Sequence, residues 1–278
     1  MMLKSSLLLV PAGGLANRMR AIVSAYSLCE KVGGRMTVVW FRDWALNASF
    51  TDIFEPVDGS IFSLREARPL DYLINDRPRK RNFWIPKLPQ RIVYQDRIYE
   101  QTVTPRKRAG FDFESWLVGK KCYMSCYQEF GTFSNSLYGK IFRPVRSVME
   151  AVESNERRFG ERAIGMHIRR TDSAESIEKS PTSLFVDAAR DELRRFPATM
   201  IYLATDSDDV KSEMREALGD RLITSERPAS RDSVAGIRDG LTDMYTLSRT
   251  AVIYGSAGSS FSVMASSIGG NELRILEL

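Results

Sequence analysis

The sequence holds a single histidine, His167, and three cysteines, Cys29, Cys122 and Cys126. That count excludes a two-histidine metalloprotease helix, and any Ser-His-Asp triad would have to use His167. The cysteines form no paired framework, and one C-x-x-x-C without a second ligand cluster cannot build a tetrahedral zinc site. Long apolar runs are also missing. The longest early one, Leu7 to Val10, is four residues and leads straight into a Gly-rich turn, too short for a signal-peptide core or a membrane span. We therefore expect a cytoplasmic protein without a transmembrane segment. Neither G-x-G-x-x-G nor G-x-x-x-x-G-K-[ST] fits the Gly-rich turn, which removes the main support for dehydrogenase and kinase readings.

What is present is an ordinary globular composition, 43% hydrophobic and 27% charged, over 278 residues. At roughly 150 residues per domain, that length predicts two domains. The net charge of +5 is uneven: residues 77 to 108 carry ten Lys or Arg against Asp96 and Glu100, so the remainder is net acidic. Within this stretch Arg79, Lys80, Arg81 and Arg106, Lys107, Arg108 bracket Phe83, Trp84, Tyr94 and Tyr99, a mixture able to stack on bases or sugars and hold phosphates. No nucleic-acid-binding signature accompanies it, so a nucleic-acid partner is not expected. A solvated basic insertion whose aromatics pack inward is the plainer reading, and an acceptor-side surface the functional one.

The chain opens with an apolar strand at Leu7 to Val10, a Gly-rich turn, an amphipathic helix from about Asn17 to Val32, and a second strand over Met36 to Phe41, one βαβ unit. From about 45 to 118 periodicity is poor and prolines are scattered. Lys121 to Tyr127 resembles a short strand, and Arg143 to Arg158 a helix carrying the chain between domains, with a boundary expected near 155. The second half alternates clearly, with strands at about 163–169, 199–205, 221–225, 251–255 and 272–277 separated by helical patterns. Ser207 or Asp208 could cap the helix running to about Leu218, and for Asp208 capping is a safer role than ligand binding. The pattern predicts a parallel sheet with helices on both faces, whose ligands bind beyond the carboxyl ends of the strands.

Three strand ends carry suggestive chemistry. After the first strand, Gly13-Gly-Leu-Ala-Asn-Arg18 offers backbone amides at a helix start; taken alone a tight structural turn is the better account, and the polar Asn17 and Arg18 keep a functional role open. Ile164-Gly-Met-His-Ile-Arg-Arg-Thr-Asp172 ends a buried strand in complementary polar side chains. Alternation puts His167 and Arg169 on one face, where a guanidinium could clamp a diphosphate, and turns Arg170 toward Asp172 or a neighbouring loop. Gly255-Ser-Ala-Gly-Ser-Ser-Phe-Ser262 opens a helix with serine donors, and reads both as a phosphate cradle and as an N-cap by Ser259.

Together these segments resemble the GT-B fucosyltransferase superfamily, which includes the nodulation and core α-1,6-fucosyltransferases and the protein O-fucosyltransferases. The resemblance rests on Gly13-Gly-Leu-Ala-Asn17, on His167-Ile-Arg-Arg-Thr-Asp172, which is the most specific, and on Ser259-Ser-Phe-Ser262. It covers mainly 163–278 and the first forty residues. It implies an α/β fold of two Rossmann-like domains with parallel sheets facing a central cleft: an acceptor-side domain at 1–155, with the basic insertion, and a nucleotide-sugar domain at 156–278. It further implies GDP-fucose as the donor substrate, with no separate cofactor, and a glycan or glycoconjugate acceptor that could be anionic. The implied donor-binding set is Gly14, Asn17, His167, Arg169, Arg170, Asp172, Asp243, Ser259, Ser260 and Phe261, in which Arg169 holds the diphosphate, His167 and Asp243 the guanine end, and Ser259 and Ser260 phosphate oxygens. Where the α-1,6 enzymes place a candidate base, this chain has Ile177, flanked by Glu175 and Glu178; either carboxylate could serve, and the base could equally come from the unmatched N-terminal half. Arg18 replaces the family's glutamine, which would alter acceptor handling.

The expected activity is inverting, metal-independent fucosyl transfer. Arg169 takes the place of a cation, and no D-x-D metal motif is read near a strand end. The alternatives are a GT-B transferase with another nucleotide sugar, and a non-enzymatic protein that binds nucleotides or polyanions.

Overall fold

The computed structural model describes residues 4–75, 87–171, 173–227 and 232–278. The chain forms two compact units, Met1–Arg143 and Pro144–Leu278. In the first, β1 (Ser6–Pro11), the helix Leu15–Lys31 and β2 (Arg35–Trp40) make the expected βαβ unit. β3 (Ser63–Glu66), β4 (Asp96–Ile98) and β5 (Lys121–Cys126) complete a sheet of order β3-β2-β1-β5-β4. Every pairing in it is parallel. β3 and β4 were not expected. They are four and three residues long, lie at the two edges and keep mostly half-buried polar side chains, so they offer no hydrophobic period to detect.

Arg18 departs from expectation. It is completely buried, with Nε donating to Gly13 O at 2.8 Å and Nη1 to Phe41 O. Nη2 lies 2.9 Å from Asp43 Oδ1, and the guanidinium sits 4.8 Å over the Trp40 ring. Burial pulls its pKa down and Asp43 opposes that pull. Arg18 is thus a structural tie between the turn after β1 and the turn after β2, and its place in acceptor handling is withdrawn.

The basic stretch behaves in its described part as the plainer reading predicts. Tyr94 and Tyr99 pack on Tyr123, with ring centroids 5.5 and 6.1 Å away, Arg106 covers Phe111, and Lys107 donates to Glu129 O. Arg79, Lys80, Arg81, Phe83 and Trp84 lie outside the described residues.

The second unit contains β6 (Ala163–Ile168), β7 (Met200–Thr205), β8 (Leu222–Thr224), β9 (Val252–Ser256) and β10 (Glu272–Leu276), all five where the alternation placed them. The sheet order is β10-β9-β6-β7-β8, parallel throughout. Counted within the unit this is the doubly wound order of dinucleotide-binding sheets, with its reversal between β6 and β9. On one face Ile164, Met166, Ile168, Ile201 and Leu203 pack with Phe185, Val186 and Ala189 of the helix Thr182–Arg195 and with Val210 and Met214 of the helix Asp208–Leu218. On the other, Gly165 admits the helix Val234–Leu247: a Cβ there would lie 2.7 Å from Leu247 Cδ2 and 2.8 Å from Thr250 Oγ1. The helix Arg146–Glu156 packs against Val234–Leu247 through its buried Val148 and Val152 and so belongs to this unit. The division therefore falls about a dozen residues before the expected 155. No helix among the described residues is long and apolar enough to cross a membrane.

Removing one partner of a buried ion pair leaves an uncompensated charge and costs about 3–5 kcal/mol. Asp43→Ala should accordingly lower stability by about that amount in urea unfolding followed by far-UV circular dichroism, and Arg18→Met combined with Asp43→Ala should lose clearly less. A double variant as unstable as Asp43→Ala alone would show that Arg18 contributes through packing and not through its charge.

Candidate functional site

The two central strands β6 and β9 end side by side, and the segments after them converge. The His167 ring, buried at the end of β6, stacks on Phe261 at 4.6 Å between centroids and 21° between planes. Its Nδ1 lies 3.2 Å from Ser259 Oγ. Ser259 is the N-cap of the helix Ser260–Gly269, and its hydroxyl oxygen accepts from the Phe261 N–H. A hydroxyl that accepts there is free to donate to Nδ1, which favours the imidazole tautomer with its proton on Nε2. Ser256, missed by the sequence reading, cross-links the two strand ends by donating to His167 O and accepting from Arg169 N, both at 3.3 Å.

The helix can lie this close because of Gly255, where a Cβ would meet Ser262 Oγ at 2.6 Å and Ser262 Cβ at 2.9 Å. Gly258, with φ of +68°, turns the chain into the helix. Half-buried Ser260 opens its first turn, where backbone N–H groups have no intrahelical partner.

The two arginines have different fates. Alternation continued one step past β6 sets Arg169 on the His167 face, and it is half-buried there. Arg170 sits on the opposite face, and its guanidinium is used by the chain itself: Nη1 donates to Arg169 O at 2.9 Å, and Nη2 to Ser180 O at 2.7 Å and Thr182 Oγ1 at 3.1 Å. The expected donor-binding role of Arg170 is therefore replaced by a structural one, in the neighbouring-loop sense. Asp172 lies outside the described residues.

Asp206-Ser207-Asp208 does have the D-x-D spacing at a strand end, contrary to the reading from sequence. Its carboxylates are engaged elsewhere. Asp206 accepts from the backbone of Arg170 at 2.7 Å and from Thr171 N and Oγ1 at 3.3 and 2.6 Å. Asp208 pairs with Lys211 at 2.9 Å. Ser207, and not Asp208, caps the following helix by accepting from Val210 N. Among the described residues no cluster of three or more His, Cys, Asp or Glu is placed to hold a metal.

The helix Ala174–Lys179 carries both candidate carboxylates. It is fastened to the loop after β9 by Ser176 Oγ donating to Ala257 O at 2.6 Å and by Ala257 N donating to Ser180 Oγ at 2.9 Å. Glu175 lies against that loop: a Cβ on Gly258 would stand 2.6 Å from Glu175 Oε2. Its other oxygen accepts from Lys179 at 2.9 Å. Glu178 and Ile177 are exposed on the same short helix.

Asp243 lies on the His167 face of the sheet, on the helix Val234–Leu247. Its Oδ1 accepts from Tyr202 Oη at 2.6 Å, and Tyr202 pairs in register with Gly165, two residues before His167. The pair borders a cavity of about 210 Å³ lined also by Asn155, Ser225, Arg227, Asp239 and Thr242. Burial pushes the Asp243 carboxyl up to about 7, and the Asp239 charge adds to the shift while the Tyr202 hydrogen bond opposes it. Tyr202 and Asn155 were missed. The available signal was a tyrosine interrupting the apolar run Met200–Thr205, since a buried phenol needs a partner for its hydroxyl.

Gly14 and Asn17 lie in the first unit, at the carboxyl end of β1. Gly14 is the N-cap residue of the helix Leu15–Lys31. Asn17 folds back so that its Nδ2 would be 3.0 Å from a Cβ on Gly13, and its Oδ1 accepts from Arg20 at 2.6 Å.

No family model matches the chain, and no curated protein matches it in sequence. Solved structures match it in fold. The NodZ α-1,6-fucosyltransferase soaked with GDP-fucose aligns with TM-score 0.64 at 14% identity, covering 95% of this chain and 92% of that one; NodZ from Bradyrhizobium gives 0.62 at 16%, covering 94% and 92%. Arabidopsis thaliana FUT1 in complex with GDP gives 0.62 at 15%, covering 98% and 70%. POFUT1 in complex with GDP gives 0.58 at 11%, covering 98% and 99%. At these identities the likeness is one of fold, and it is the two-unit parallel α/β fold that the sequence motifs implied.

A carboxyl raised to about 7 in the folded state titrates near 4 when unfolded. Between those values the unfolded chain is ionised and the folded one still protonated, so Asp243 costs stability progressively as pH rises from about 4 to about 7 and by a constant amount above. Asp243→Asn should therefore gain stability over the parent by a few kcal/mol on going from pH 4 to pH 7.5, and the difference should be flat beyond. Paired urea titrations across that range check it; a difference independent of pH would return the Asp243 pKa to the usual carboxylate range.

Proposed function

We propose that the protein is an inverting, metal-independent glycosyltransferase that moves fucose from GDP-fucose to a glycan hydroxyl. The observation that carries this reading is the junction of His167, Ser259 and Phe261 at the β6/β9 reversal, with Arg169 next along the His167 face. Sheets of this order bind nucleotides at that reversal. Support also comes from the matching folds, among them structures soaked with GDP-fucose or in complex with GDP.

In this reading Arg169 grips the diphosphate with two parallel N–H donors, and the backbone N–H and hydroxyl of Ser260, in the first turn of the helix that Ser259 caps, donate to its remaining oxygens. His167, on the same face as Asp243, meets the nucleoside, and the Asp243 cavity takes the base. Glu175 is the better placed of the two carboxylates to act as general base, because it already lies against Gly258. It would remove the proton from the acceptor hydroxyl as that oxygen bonds the sugar carbon. The bond from the same carbon to the diphosphate oxygen breaks, its electron pair leaves with GDP, and Arg169 stabilises the charge that develops there. The first unit, with its basic stretch, would serve the acceptor.

The direct test is thermal shift. GDP and GDP-fucose should raise the melting temperature more than UDP, ADP or NAD do, since a ligand at a hundred times its Kd adds about 2.7 kcal/mol. Turnover should persist in EDTA; loss of turnover that manganese restores would replace Arg169 by a metal. A larger shift with UDP or NAD would replace the donor.

Arg169→Lys keeps the charge but not the planar fork. Its turnover should fall about a hundred- to a thousandfold, as when one preorganised oxyanion donor is lost. Arg170→Lys should mainly lower the melting temperature, because the side chain holds Ser180 and Thr182. An inactive but normally stable Arg170→Lys beside an active Arg169→Lys would exchange the two roles.

A further inference from the structure

Two short helices of the first unit, Asp71–Ile74 and Lys87–Val93, bury their polar residues and expose their apolar ones. Asp71, 3% exposed, accepts from both terminal nitrogens of Arg65 and from Asn75 Nδ2. Gln90, 1% exposed, donates from Nε2 to Ile74 O at 2.9 Å and accepts from Tyr99 Oη at 2.8 Å. These bonds fasten one helix to the other and both to the segment after β4. On the outside stand Leu70, Leu73, Leu88, Ile92 and Val93, from 47% exposed at Val93 to 82% at Ile92. Leu73 is two residues from Asp71, and Leu88 and Ile92 lie two residues to either side of Gln90, so each is about opposite a buried polar group on its own helix.

A single exposed leucine is ordinary. Five aliphatic side chains on two touching helices, with the hydrogen-bonding groups held inside, reverse the usual order of burial and leave an apolar face for something outside the fold. The charge around that face decides what covers it. Lys87 and Arg91 precede Leu88 and Ile92 directly and are exposed, and exposed Arg68 stands just before the first helix. The second helix also belongs to the stretch 77 to 108, with its ten Lys or Arg against two carboxylates. Two copies of so basic a surface would repel each other. An anionic bilayer accepts it: aliphatic side chains enter the acyl boundary, while lysine and arginine lay their apolar stems along it and reach the lipid phosphates. A fluid partner needs no matching shape, which suits side chains standing out from two short helices.

We propose that this face docks the protein on an anionic phospholipid surface, with Leu70, Leu73, Leu88, Ile92 and Val93 inserted and Lys87 and Arg91 on the headgroup phosphates. The docking goes beyond the transferase reading and does not depend on it.

Co-sedimentation of the full chain with large vesicles, in the absence of nucleotide, tests it. An equal mixture of phosphatidylcholine and phosphatidylglycerol should bind the chain about tenfold or more tightly than phosphatidylcholine alone, and less tightly as salt rises. Leu88→Gln combined with Ile92→Gln should weaken binding to the mixed vesicles about tenfold or more and leave the melting temperature unchanged, since both side chains are exposed. Leu70→Gln with Leu73→Gln should do the same from the other helix, which keeps the test open if one pair disturbs folding. Lys87→Gln with Arg91→Gln should weaken binding and flatten its salt dependence. The proposal is overturned if the parent does not sediment with the mixed vesicles, or if the folded leucine and isoleucine variants bind them like the parent, because charge alone would then account for binding. It is equally overturned if the face instead holds a dimer that those substitutions dissolve.

Discussion

The geometry of the second unit depends on the contact between Gly255 and Ser262. A β-carbon at Gly255 would have to occupy space taken by Ser262 Oγ and Cβ, so the helix Ser260–Gly269 lies against β9 only because that carbon is absent. Everything at the β6/β9 reversal depends on this approach. It lowers Ser259 onto His167 Nδ1, sets Phe261 nearly parallel to the imidazole, and leaves Ser256 to tie the backbones of His167 and Arg169 together. Close packing transmits such shifts, since interiors have little free volume to absorb them. A helix displaced by even a fraction of a stacking distance would uncouple the histidine from its cap.

Two arginines of this chain are spent on its own backbone, and local sequence announces only one of them. Arg18 and Arg170 each follow a turn or strand end rich in polar groups, and each places its guanidinium on main-chain carbonyls: Gly13 and Phe41 for the first, Arg169 and Ser180 for the second. A planar group with five donors is well suited to collect carbonyls from segments distant in sequence. For Arg170, the turn of the side chain toward a neighbouring loop was legible as period-two alternation. For Arg18 on a helix nothing comparable was available, because its partners Phe41 and Asp43 come from a loop two elements away.

The second unit was read well because its central strands are buried on both faces and therefore apolar almost without interruption, as in Ala163–Ile168, all six residues of which are buried. The first unit was read only at β1, β2 and β5, the strands inside its sheet. Edge strands such as β3 need satisfy only one neighbour and carry Ser63, Arg65 and Glu66 without penalty. The helix Arg146–Glu156 reads as a connector because only two of its eleven positions are buried, yet Val148 and Val152 suffice to seat it. Of the candidate site, the motif residues His167, Ser259 and Phe261 were legible and do meet. The hydroxyl and carboxamide that surround Asp243, from Tyr202 and Asn155, were not, since each lies about forty or more positions away and only the sheet brings them together.

The Asp243 pair shows how the fold can hold a polar group ready without a ligand. Tyr202 donates to the carboxyl, and burial keeps that carboxyl largely protonated below about pH 7. A neutral acid facing a small cavity avoids the several kcal/mol that an unpaired buried charge would cost. A ligand that presents N–H donors, as the edge of a guanine does, reverses the balance, because donors directed at the oxygens favour the anion. Under the proposed function, guanine binding at Asp243 would release a proton, and burial would strengthen the hydrogen bonds made there. Burial raises the Asp243 carboxyl toward neutrality and the Tyr202 hydroxyl limits that rise, so two opposing effects of the same pocket set its charge.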